Sequence, residues 1–343
     1  MKHQSFPNRS VLRFTAFVAL VLAAGAATQA QAQAPTFTVL HNFTNSPDGA
    51  SPFGGLLRDA AGNLYGTTLG GGCTGYGCGT VFKLDPASNE TVLYRLGSVP
   101  SGLDPQDPNA ALVMDAAGNL YGTTRDSGAF GLGTVFRLDT SGTFTVLHSF
   151  TGADGGNPYA GVVLDAAGNL YGTGSSGAAF GVLGTVFKID SAGNFTVLHF
   201  FTGSDGCCPT GGVIMDAAGN LYGTAGGGGS SGFGTVFKLD TLGNLHVLYS
   251  FKGGSDGASP AGGLIMDALG NLYGTTGAGG SGTCSGQLPV VGCGTVFKLD
   301  PVGNETVLYS FTGGVSGSTS GEGRSGQPLR HHPGGRLLYL HRP

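Results

Sequence analysis

The pentapeptide NLYGT begins at Asn63, Asn119, Asn169, Asn220 and Asn271, at steps of 56, 50, 51 and 51 residues. GTVF accompanies each copy, at Gly79, Gly133, Gly184, Gly234 and Gly294. A third motif, VL followed by His or Tyr, begins at Val39, Val92, Val146, Val197, Val247 and Val307. A period near 51 residues makes each unit one supersecondary element that buries its apolar faces against its neighbours.

Within a unit, four apolar runs of strand length alternate with turn signals, as in residues 261–311: AGGLIMD, LYGTT, GTVFKLD and TVLYSF. No run shows a helical period. Four strands in a repeat of this size predict a β-propeller blade; the alternative is a β-solenoid, whose coils are shorter and lack four separate turns. The 67 Gly residues among 343 suggest disorder or collagen on composition alone. The 21 Phe and 11 Tyr at regular places exclude both. Five complete repeats are expected, plus an unpaired strand of the fourth type, TVLHNF, at Thr38 to Phe43.

The two ends lie outside the pattern. Lys2, Arg9 and Arg13 precede an apolar run from Phe14 to Ala27, and small residues at Ala30, Ala32 and Ala34 offer cleavage sites, so residues 1–32 are expected to be a signal peptide. No transmembrane segment is expected in the mature chain. Residues 36–312 form the expected repeat domain, and 313–343 an irregular tail rich in Arg and His. Codons that can encode Glu322 to His332 spell RDAAGNLYGT one base out of frame, the string found at Arg58 to Thr67. The tail is therefore expected to be a frameshifted sixth repeat.

The unit DAAGNLYGTT…GTVFKLD…TVLYSF…DGxxPxGGL resembles the Gloeobacter/Verrucomicrobia tandem repeat of bacterial choice-of-anchor exported proteins. More loosely, it resembles bacterial propeller repeats with an Asp-x-x-Gly-Asn turn. The first resemblance implies an exported, surface-associated protein with a C-terminal anchor. It implies no particular biochemical activity.

Most acidic residues belong to the repeat. Asp59, Asp115, Asp165, Asp216 and Asp267 open DAAGN-type hairpins, and Asp85, Asp139, Asp190, Asp240 and Asp300 open the turn after GTVF. A third ring, Asp48, Asp104, Asp154, Asp205 and Asp256, precedes a Pro by four residues. In an up-and-down blade this connection shares one face with the variable loop between strands two and three, so the ring is the candidate binding set, expected near the central opening. Turn formation is its other reading. Arg125, Asp107 and Asp126 fall outside the repeated positions. His41, His148 and His199 alternate with Tyr94, Tyr249 and Tyr309 at one strand position and read as packing residues. No catalytic constellation is expected.

Cys73 and Cys78 bracket one loop, Cys284 and Cys293 the same loop of another blade, and each pair is expected to form a disulfide. Cys207 and Cys208 are adjacent, which leaves open a vicinal pair, other partners or free thiols. No metal site and no cofactor is expected. Between residues 33 and 321, nine Lys or Arg face 19 Asp or Glu, a net of −10 that argues against nucleic acid. The repeated cations Lys83, Arg137, Lys188, Lys238 and Lys298 are expected to pair with the Asp two residues on. The chain therefore reads as a monomeric, non-catalytic binding or scaffold module outside the cytoplasm, with a glycan or protein as extracellular ligand. The alternative is a propeller hydrolase or lyase acting on carbohydrate or peptide.

Overall fold

Consecutive side chains of a strand point to opposite faces, so Val and Phe of each GTVF face two different neighbours. The computed structural model describes residues 37–72, 78–97, 106–176, 182–284 and 292–313. His41–Pro343 forms one unit and Met1–Leu40 another. The first unit is described only from Phe37, and residues 37–44 form no strand, unlike the expectation for TVLHNF. The expected sixth repeat lies in the tail, outside the described residues.

The second unit is an all-β propeller of antiparallel sheets. Blade 2 is representative: Val113–Met114, Leu120–Thr124, Thr134–Leu138 and Phe144–Ser149 pair in chain order. Blades 3 and 4 repeat it at Val163–Phe200 and Ile214–Ser250. In blade 1 (Ala50–Arg95) and blade 5 (Ala258–Ser310) the inner strand is in two pieces. Among the described residues there is no helix long and apolar enough to cross a membrane.

The core is divided into four clusters, each between neighbouring blades. Val135 and Phe150 of blade 2 pack with Val162, Leu170, Phe187 and Ile189 of blade 3. The same positions build the three other interfaces, around Phe136, Phe237 and Phe297. Edge-on ring contacts recur at 5.3 Å for Phe150–Phe187, 5.2 Å for Phe201–Phe237 and 5.2 Å for Phe251–Phe297. Fully burying such a ring contributes about 1.5–3 kcal/mol. Phe43 makes the same contact with Phe82 at 5.0 Å, so residue 43 packs as an outer-strand residue would although no strand is formed.

Two glycines of the repeat follow from this packing. The Gly of LYGT lies opposite the Phe of GTVF (Gly172↔Phe187), and a Cβ there would stand 2.6 Å from the ring. The Gly of GTVF receives the next blade's proline: a Cβ on Gly184 would stand 2.4 Å from Pro209 Cδ, and one on Gly234 2.4 Å from Pro260 Cδ. Hydroxyls complete the joint, with Thr123 Oγ1 donating to the Ala160 carbonyl at 2.9 Å and Thr173 Oγ1 to Gly211 at 3.1 Å.

The turn acids behave as the motif predicts. Asp115 accepts from Asn119 N, Asn119 Nδ2 and the Tyr121 hydroxyl at 2.9, 2.7 and 3.0 Å. The cations do more than the expected local pairing. Arg137 approaches Asp139 at 3.6 Å, and, after the hydrogen bonds from Asn89 and Asn194, Lys83 and Lys188 help hold the Asp85 and Asp190 carboxyls below the usual range. Lys83, Lys188 and Lys238 also stand over the rings of Tyr65, Tyr171 and Tyr222 at 5.9, 5.6 and 5.6 Å. Register explains this, since Tyr171 lies directly opposite Lys188 across the ladder.

Gly184→Ala should cost about 2–4 kcal/mol, because strain and the clash with Pro209 combine. Gly193→Ala, at φ 90° with open space around it, carries backbone strain alone and should cost about 1–2 kcal/mol. Urea denaturation of both variants checks the difference.

Candidate functional site at the axial mouth

The third acidic ring is built into turns. Asp154 accepts from Thr151 N at 2.8 Å, Thr151 Oγ1 at 2.9 Å and His148 Nε2 at 2.9 Å. Asp205 repeats this with Thr202 and His199, and Asp48 accepts from Thr44, with His41 Nε2 3.4 Å away. Asp256 accepts from Lys252 N and the Tyr249 hydroxyl at 2.8 and 3.0 Å. Burial opposes ionisation of Asp154 and Asp205, but the backbone and side-chain donors outweigh it and hold both carboxyls below the usual range. These contacts place the described members at the outer-strand end of the inter-blade connection, away from the axis. Asp104 lies outside the described residues.

The axis has different residues. A cavity of about 320 Å³ is bordered by the innermost segments of four blades, with Phe53, Asn109, Tyr159 and Gly212 each from a different blade. The residue after the turn's proline supplies its variable wall: Phe53 in blade 1, Asn109 in blade 2 and Tyr159 in blade 3. Phe53 is 75% exposed and Tyr159 43%, so both present open ring surface, whereas Asn109 is buried. Asn109 Oδ1 and, at the equivalent place in blade 4, Thr210 Oγ1 are buried atoms with no hydrogen-bond partner.

Against this wall the non-repeated charges converge. Arg125 replaces Leu69, Ser175, Gly226 and Gly277 of the other blades, and Asp126 replaces Gly70, Ser176, Gly227 and Ala278. Arg125 Nε donates to Asp126 Oδ2 at 2.8 Å, and its Nη2 lies 3.7 Å from Asp107. Its guanidinium carbon stands 5.6 Å from the Tyr159 ring centroid. Asn157 Nδ2 donates to Asp126 Oδ1 at 3.1 Å, and Ser176 Oγ donates to Asn157 Oδ1 at 2.9 Å. Burial works against the charge on Arg125, but the carboxylates raise its pKa and keep it cationic. Sequence reading singled out Arg125, Asp107 and Asp126 but missed Asn157, Tyr159 and Asn109. The signal was available, because the residue after the repeated proline differs in every blade and the one before it in all but blades 1 and 5.

A larger cavity, about 610 Å³, opens elsewhere, between blades 4 and 5 beside Tyr249, Lys252, Asp256 and Glu305. Glu305 stands where blades 2 and 3 have Phe144 and Phe195, which stack on Tyr94 and His148 at 4.4 and 3.6 Å. A smaller polar side chain in an aromatic's place explains this opening. Burial first, then Asp256, push the Glu305 carboxyl up to about 7. We take the axial mouth as the site, because singular polar groups converge beside Tyr159 on its wall.

Cys284 and Cys293 form a disulfide, with Cα atoms 5.1 Å apart. Cys78 is disulfide-bonded, and Cys73, its expected partner, lies outside the described residues. Cys207 and Cys208 are free thiols. Among the described residues, no three His, Cys, Asp or Glu side chains gather as a metal site would require.

The Gloeobacter/Verrucomicrobia repeat profile matches residues 21–217, 76–289 and 183–328, most of the chain. The chain belongs to the Gloeobacter/Verrucomicrobia repeat family. No curated protein matches the sequence of this family member. Similar solved structures include a structural-genomics target provisionally classed as a gluconolactonase, at 15% identity, covering 76% of this chain and 78% of the target, with a TM-score of 0.43. A gluconolactonase from Xanthomonas campestris is 16% identical over 78% of both chains, with a TM-score of 0.47. A surface component of the type-IX secretion system of Porphyromonas gingivalis is 14% identical, covering 75% of this chain and 33% of that one, with a TM-score of 0.45. The gluconolactonase descriptions stand against the expectation of a non-catalytic scaffold, but a likeness this weak bears on the fold alone. Likeness at this distance assigns no activity to this repeat protein, so its chemistry must be argued from its own residues.

Glu305 binds its proton more tightly when folded, so its contribution is full below the ordinary pKa of 4.5 and is lost as pH rises through about 7. Glu305→Leu, the residue at this place in blade 4, should therefore raise the thermal midpoint at pH 8 and change it less at pH 4. Melting curves across that range check the sign.

Proposed function

We propose that this protein is an exported hydrolase that binds a carbohydrate at the axial mouth and acts on it through the Arg125–Asp126–Asp107 cluster. The observation that carries this reading is the convergence of three non-repeated charges beside an exposed aromatic ring. A chain written as five near-identical blades has no packing reason to place Arg-Asp at one strand end alone.

The chemistry suits a polyhydroxylated substrate. Sugar rings have apolar faces that rest on aromatic side chains, and Phe53 and Tyr159 offer such faces on one cavity. Asn109, on the cavity wall, offers a buried oxygen without a partner as acceptor for a substrate hydroxyl. Asp126 serves in this reading as the general base that takes a proton from an attacking water. Arg125 steadies the negative charge that develops on the substrate oxygen. Asp107 and Asn157 hold Arg125 and Asp126 in place. Export agrees with family membership and with the disulfide, which persists in oxidising compartments. The net charge of the repeat region disfavours nucleic acid as the substrate, and the protein is proposed to act as a monomer.

Hydrolysis of a panel of glycosides and sugar lactones tests the proposal. Asp126→Asn should lower kcat by about 10²–10⁴-fold, the usual contribution of a general base, with an unchanged circular dichroism spectrum. Asp205→Asn, in the turn ring, should leave kcat within about threefold of wild type, since a turn carboxylate takes no part in proton transfer. Equal losses in both variants, or no turnover of any panel member by the wild type, would sink the assignment.

A further inference from the structure

Blade 4 carries Cys207 and Cys208 in the segment DGCCP, where blades 1 and 5 read DGASP. In extended backbone, adjacent side chains point to opposite faces, which would hold two sulfurs apart. The residue before the proline, however, is left-handed in every described blade: φ is 55° at Ser51, 56° at Asp107, 47° at Asn157, 58° at Cys208 and 52° at Ser259. The twist therefore belongs to the blade and not to the cysteines. Proline packing on the preceding blade and hydrogen bonds from Cys208 N to the Leu183 carbonyl at 2.7 Å and from Cys207 N to Gly227 at 2.8 Å hold it. Its consequence in blade 4 is that the two Sγ atoms lie 2.9 Å apart. Both thiols are free, Cys208 exposed and Cys207 partly buried.

We propose that Cys207 and Cys208 form a redox-active dithiol, which closes into a vicinal disulfide by exchange with a small-molecule disulfide. The thiolate of Cys208 attacks one sulfur of the external disulfide, expels the other half as a thiolate and leaves a mixed disulfide on Cys208. Cys207 then gives up its proton and attacks Cys208 Sγ, which releases the second half. The protein loses two electrons and two protons, and one external disulfide becomes two thiols. Exposure makes Cys208 the first nucleophile. Burial, with a smaller effect of Cys208, pushes the Cys207 thiol up to about 12, so it stays protonated until the mixed disulfide has formed. The segment that holds the pair continues to Gly212 and Val213, which line the axial cavity. The argument stands on this geometry alone and does not depend on the hydrolase reading.

The test incubates the full-length, mildly reduced protein with oxidised glutathione and maps its peptides by mass spectrometry. The peptide holding both cysteines is expected to lose two hydrogens and to retain no glutathione. Cys207→Ala should trap a stable glutathione adduct on Cys208, and Cys208→Ser should take up little. Both substitutions install residues that blades 1 and 5 carry at these positions, so they suit the turn. Two free thiols remaining in the wild-type peptide, or glutathione retained there as fully as in Cys207→Ala, would overturn the proposal. The wild-type peptide decides the question even where a variant misfolds.

Discussion

Everything in this fold depends on the contact by which each blade covers the next. A single four-stranded sheet of this length has no interior, and its buried residues are buried only because another sheet lies against each face. Val186 at 0% exposure faces blade 4, while Phe187 at 0% faces blade 3's other neighbour, blade 2. The stability of a blade is thus a nearest-neighbour quantity, as in other repeat proteins. Close approach is what the interface demands of the backbone, and it accounts for the fixed glycines, the fixed proline and the low charge of the strands together.

The architecture was legible because these demands are periodic. NLYGT and GTVF mark the second and third strands, and their paired glycine and phenylalanine face each other in all five blades. The DAAGN turn was legible for the same reason, since Asp, Gly and Asn each have one local task there. Two readings were incomplete where chemistry crosses the strand instead of running along it. The lysines do act on the acid two residues on, as Lys83 does on Asp85 and Lys188 on Asp190, but the ladder also sets them opposite tyrosines. TVLHNF was read as a strand from its repeated motif, yet strand formation needs a partner, and residues 37–44 have none among the described residues.

The site was partly legible, and the misplaced part is instructive. Repetition drew attention to the ring at Asp48, Asp154, Asp205 and Asp256, but a residue repeated in every blade is most simply explained by a task that every blade shares. That task is closing the connection against the outer-strand His or Tyr. The left-handed residue before each proline escaped notice because Ser, Asp, Asn and Cys share no obvious chemistry. They share only a backbone conformation, which no side-chain comparison reveals.

Function in such a molecule is confined to positions that the interface does not use. Any substitution at the Gly, Val or Phe of GTVF disturbs a joint between blades, so variation there is suppressed by packing. The residues flanking the proline are released from that constraint: their backbone is held by the joint, and Phe53, Asn109 and Tyr159 among them line the axial cavity. Blades 1 to 4 place Phe53, Asn109, Tyr159 and Thr210 after the proline, and blades 2 to 4 place Asp107, Asn157 and Cys208 before it. A rigid, repeated frame thus carries a non-repeated set of side chains around one opening. This is the arrangement by which a chain made of copies can acquire a singular site without altering the contacts that keep the copies together.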